Sequence, residues 1–77
     1  MNARQFHWLA WLAEHGGRGR VEGYDVVAAD GRSSGGRAVI AFLHLVSQGV
    51  IDGQGGELRV TDYGRRHLEA TEAPLLL

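Results

Sequence analysis

The chain has 77 residues, 44% of them apolar, with twelve glycines, one proline, no cysteine and a formal charge of −1. That length fits one domain, which buries only about 60% of the surface its unfolded form exposes, and the apolar content is too high for a disordered chain. The absence of cysteine excludes a disulfide framework and a thiolate zinc site, so helix packing or oligomerisation must supplement the core.

All eight basic residues are arginine, and nine acids offset them. No polybasic tail or basic membrane-surface patch results. The apolar run Trp8–Ala13 is too short to span a membrane and lies between His7 and Glu14, unlike a signal peptide. The expectation is a soluble cytoplasmic protein.

Residues 3–15 are good helix formers, and Gly16-Gly17 supplies a stop. At helical spacing, Phe6, Trp8, Leu9, Ala10, Leu12 and Ala13 share one broad apolar arc, while Trp11 falls outside it, among Arg4, His7 and His15. Residues 16–23 are too rich in glycine for a helix, although Arg20-Val21 suits a very short strand. Residues 24–30 read as two helical turns closed by Gly31, or alternatively as a loop. A second clear helix is expected over 33–48, capped by Ser33 or Ser34 and stopped by Gly49. Its core side would hold Ala38, Ala41, Phe42, Leu45 and Val46, extended by Val39 and Leu43. Arg37, His44, Ser47 and Gln48 would line the opposite side, with Ile40 among them. Residues 50–61 change period: Val50-Ile51, a glycine turn at 53–56, then Leu58 and Val60 alternating with Glu57, Arg59 and Thr61 describe a hairpin. Thr61 or Asp62 then caps a last helix over 62–70, with Tyr63 and Leu68 turned inward. The domain is assigned to 1–70 and a tail to 71–77.

The stretch Ala41–Glu69 resembles winged helix-turn-helix domains of small prokaryotic or phage-type regulators. The resemblance lies in Leu45, Gly49, Val50-Ile51, the Gly53–Gly56 tip, Thr61-Asp62-Tyr63-Gly64-Arg65 and Leu68. It covers a little over a third of the chain, and the order of elements extends it more loosely to the rest. It implies a mainly helical α+β fold of three helices, a two- or three-stranded wing hairpin and a short C-terminal helix. Asp30 departs from the pattern, standing where such domains bury an apolar residue before the turn.

The resemblance also implies that the helix at 33–48 enters the major groove of double-stranded DNA, with Arg32, Ser33, Ser34, Arg37 and His44 as contacts. The residue types suit that task. Serines and helix-start N–H groups reach phosphate, Gly35 and Gly36 allow close approach, and arginine reads guanine with two hydrogen bonds. Arg18, Arg20 and Arg59 are candidates for backbone contacts. Against this stand the −1 charge, the wing acids Asp52 and Glu57, and the large apolar Ile40 and Trp11 on otherwise polar helix faces. Either those two residues are core, or they join Leu75–Leu77 in a protein interface with a second copy or another partner. Two functions are therefore expected. One is a DNA-binding transcriptional regulator acting as a homodimer. The alternative is a winged-helix protein-interaction module, such as an assembly subunit or a phage-type inhibitor, with little or no DNA binding.

Other chemistry is set aside. His7, His15, His44 and His67 are dispersed and show no metal-ligand spacing. Asp62 with Glu69, and Glu14 with His15, read as solvated surface pairs rather than acid–base machinery. Gly31–Arg37 lacks the Lys-Ser/Thr ending of a phosphate-binding loop, and Gly16–Arg20 reads as a connector. The chain is not expected to be an enzyme or to carry a cofactor or metal.

Overall fold

A capping box begins the first helix, α1 (Ala3–Glu14). Asn2 accepts the Gln5 N–H at 2.8 Å, and the Gln5 side chain accepts the Asn2 N–H. This satisfies two donors that the helix geometry leaves without partners. The helix stops at the expected glycines, where the Gly17 N–H donates to the Leu12 carbonyl at 2.8 Å. The computed structural model describes residues 1–72, and after α1 these form β1 (Arg18–Glu22), β2 (Asp25–Ala28), α2 (Val39–Ser47), β3 (Ile51–Gln54), β4 (Glu57–Val60) and α3 (Asp62–Glu72). The strands make one antiparallel sheet in the order β2-β1-β4-β3. The mixed α+β class read from the sequence is what the chain adopts.

One face of the sheet carries the core. Val26, Ala28, Ile51, Leu58 and Val60 pack with Leu9 and Leu12 of α1 and with Phe42 and Leu45 of α2. Trp8, Trp11 and Leu68 are partly buried around this cluster. The alternation of buried and exposed residues along β4 is the one expected for a strand wet on one side. No helix among the described residues is long and apolar enough to cross a membrane.

The region between α1 and α2 differs most from expectation. Residues 24–30 hold no helix; Asp25–Ala28 is strand β2, paired with β1 along its whole length. Gly23, at φ 63°, stands first in the two-residue turn between Glu22 and Asp25, where hairpins favour glycine. The β-branched Val26 and Val27 then suit the sheet better than a two-turn helix. There are consequently three helices among the described residues, with none between α1 and α2, and the sheet has four strands.

Helix α2 also begins later than expected, at Val39. Gly35, Gly36 and Arg37 have φ of 61°, 61° and 55°, a left-handed run that a right-handed helix cannot contain. Ser33 and Ser34 therefore cap nothing; Ala38 holds the cap position without a side-chain bond. Instead Ser34 closes the outer edge of β2. Its Oγ accepts the Val26 N–H at 3.0 Å and its own N–H donates to the Val26 carbonyl at 2.7 Å. An edge covered in this way offers no template for another strand.

Leu43 and Tyr63, expected to face inward, are 60% and 50% exposed. Trp11, expected outside the apolar arc, is half-buried, its ring meeting Trp8 at 5.5 Å and Phe42 at 6.3 Å. The start of α3 matches expectation. Thr61 Oγ1 accepts the Gly64 N–H at 3.0 Å and donates to the Gly49 carbonyl at 2.8 Å, tying the helix to the turn before β3. The reading of Leu75–Leu77 lies outside the described residues.

Candidate functional site

Two surfaces collect the candidate residues, on opposite sides of the sheet. The first is the outward face of α2. Its sequence, VIAFLHLVS, contains no carboxylate, lysine or arginine. Ala41, Phe42 and Leu45 are used by the core, yet Ile40 and Leu43 are each 60% exposed, one helical turn apart. A helix apolar on both sides is ordinarily covered on both. Beside Ile40 a cavity of about 410 Å³ is lined by Asn2, Arg4, Gln5, Gly36, Arg37, Ala41 and His44. Its rim bears two arginines and a histidine and no carboxylate. The N-terminal turn of α1 is held there by Gln48 Nε2, which donates to Gln5 Oε1 at 3.0 Å.

Arg37 occupies this rim in a constrained posture. Its backbone N–H donates to Asp25 Oδ1 at 2.9 Å, and its guanidinium carbon lies 5.1 Å from the centroid of the Tyr24 ring. The side chain expected to read a base is thus stacked on an exposed tyrosine. Arg32 and Ser33 lie in the loop that precedes α2, with the Arg32 N–H donating to Asp30 Oδ1 at 3.0 Å. Ser33 is bridged to Val27. Of the five expected groove contacts, Arg37 and His44 share the α2 surface, whereas Ser33 and Ser34 are engaged at the edge of β2.

The second surface is the outer face of the sheet. Arg18, Arg20 and Arg59 project from it together with Asp52, Gln54 and Glu57, around a cavity of about 300 Å³. The three arginines singled out as backbone contacts do converge, but on the side of the sheet away from the helices. They do not form one basic face with Arg37. Trp11 joins neither surface.

One ion pair was not legible from sequence. His15 Nδ1 meets Asp30 Oδ2 at 2.5 Å, linking the end of α1 to the turn after β2. The backbone N–H of Arg32, and then His15, hold the Asp30 carboxyl below its ordinary value of 3.8. Arg4 and Gln5 carry no local signal of their role at the α2 surface, because nothing in the sequence of α1 indicates that its first turn borders α2.

Comparison with models of known protein families, with curated proteins and with solved structures finds no match. The fold and surfaces define a small α+β domain: a four-stranded antiparallel sheet with its helices on one face and an uncharged, partly uncovered helix between two hairpins.

Proposed function

We propose that this is a winged-helix-like interaction module that binds another protein through the outward face of α2. Supporting the winged-helix part are α1, β1, α2, the β3–β4 hairpin and α3 in the order that the resemblance implies, with β2 standing in place of the helix before α2. The observation that carries the functional reading is the 60% exposure of both Ile40 and Leu43 on a helix without a carboxylate, lysine or arginine. Apolar side chains presented at one-turn spacing suit an amphipathic partner segment. The neighbouring Arg4, Arg37 and His44 suit acidic side chains on that segment. A second copy fits less well, since a two-fold contact would set Arg4 and Arg37 of both copies around the same apolar centre.

A second reading, double-stranded DNA, has its own observation: the absence of carboxylates from the rim of that cavity. One experiment separates the two. A random-peptide display library is selected on the wild-type chain and counter-selected on a variant carrying Ile40→Glu and Leu43→Glu. Enrichment of peptides that combine apolar anchors with Asp or Glu supports the protein reading. Failure to enrich them overturns it. DNA gains if a duplex binds with affinity that falls steeply between about 50 and 200 mM salt and is lost on Arg37→Ala.

A further inference from the structure

The outer face of the sheet carries a pairing that a sheet ordinarily avoids. Arg18 on β1 stands directly opposite Arg59 on β4. Directly opposed like charges destabilise an antiparallel pair. Among the described residues neither arginine has an ion pair. Arg20, two positions along β1, is opposite Glu57 but leans toward Glu22 on its own strand at 3.5 Å, and so does not relieve the other two. Both arginines line the cavity of about 300 Å³, together with Val27 and Ala29. That volume is at the lower end of the range for small-molecule sites.

We infer that this face binds a phosphate group between Arg18 and Arg59. Each guanidinium offers a planar fork of N–H donors that matches two oxygens of a phosphate, and the bound anion offsets the repulsion between the two arginines. Asp52 flanks the pair from β3, in register with Arg59, and Glu57 flanks it along β4. With Arg20 taken up by Glu22, Arg18 and Arg59 face the carboxylates of Asp52 and Glu57 around the cavity. The site therefore accommodates a single phosphate group; a second one along the same row would meet a carboxylate. Affinity for inorganic phosphate is expected on the order of 1 mM.

The test is a titration of the isotopically labelled full chain with sodium phosphate, followed by amide resonances, against sodium chloride at matched pH and ionic strength. Saturating shifts centred on Arg18, Gly19, Leu58 and Arg59, with a phosphate-specific rise in melting temperature, are expected. Arg18→Gln and Arg59→Gln should each weaken the response about tenfold or more. In chloride Arg18→Gln should melt no lower than wild type, because it removes a like-charge repulsion, whereas Arg59→Gln also loses its pairing with the facing Asp52. Arg66→Gln, on α3, should leave the response unchanged. A mononucleotide and a short DNA duplex identify the source: equal affinity for the two marks a lone phosphate ligand, and tighter duplex binding marks a nucleic-acid backbone. Shifts that chloride reproduces, or that survive both substitutions, overturn the site. The α2 surface lies on the other side of the sheet, so this failure would leave the protein-binding reading intact.

Discussion

Gly64, in the first turn of α3, lies so close to the carbonyl oxygen of Val50 that a methyl group in place of its hydrogen would overlap that oxygen. The contact explains a glycine where helix propensity argues against one. In an exposed helix, Gly→Ala gains up to about 1 kcal/mol. Here the added carbon would also press on Val50 C and Val60 Cγ1, so α3 would have to lift off the start of β3. Gly64→Ala is expected to destabilise by about 2 kcal/mol or more in urea unfolding. Unchanged or increased stability would show that α3 is not seated on β3.

The pair formed by Asp30 and His15 makes a prediction about acid. The folded state holds the Asp30 carboxyl below 3.8, chiefly through the Arg32 N–H. A carboxyl with a lowered folded pKa contributes stability that is present above the unfolded pKa and lost as pH falls through the folded one. Asp30→Asn should therefore be less stable than wild type at neutral pH, and the two urea midpoints should converge below about pH 4. A gap that persists at pH 2 would mean that the charge of Asp30 is not the source of the effect.

These two relationships also mark the boundary of what the sequence discloses. The helix formers from Ala3, the paired glycines after His15, the alternation through Leu58 and Val60, and Thr61 before Asp62 are local signals, and each specifies the element found. Val26-Val27-Ala28-Ala29 is too short for its period to separate strand from helix, and the decision is made by pairing with β1. The late start of α2 follows from Gly35, Gly36 and Arg37 being left-handed, which residue type alone does not require of arginine. The exposure of Leu43 is not readable from the sequence, because α2 is apolar almost all round and its period does not say which side is covered. The Arg18–Arg59 and His15–Asp30 pairs join distant segments, and no spacing in the chain announces them.

The two sides of α2 should respond differently to truncation. Phe42 and Leu45 are buried to within 1% of their surface. Phe42→Ala is expected to cost about 3–5 kcal/mol and Leu45→Ala about 2–5 kcal/mol. Ile40→Ser and Leu43→Ser, on the exposed side, should each change stability by no more than about 0.5 kcal/mol. Denaturant melts of the four single variants measure this directly. A large loss at Leu43 would place it in the core and remove the apolar face on which the protein-binding reading rests.

Arg37 combines a left-handed backbone with a side chain stacked on Tyr24. The backbone conformation costs a residue with a Cβ roughly 1–2 kcal/mol, and the stack returns about 0.5–1 kcal/mol. Arg37→Ala keeps the strain and loses the stack, whereas Arg37→Gly loses the stack and relieves the strain. The glycine variant is therefore expected to be more stable than the alanine variant by about 1 kcal/mol, after allowing for the extra freedom glycine gives the unfolded chain. Both variants lack the guanidinium, so any binding that depends on it should weaken equally in the two. Thermal melts alongside a binding titration separate the effects: equal melting temperatures would refute the left-handed conformation, and unequal binding would show that the backbone of Arg37, rather than its charge, shapes the α2 surface.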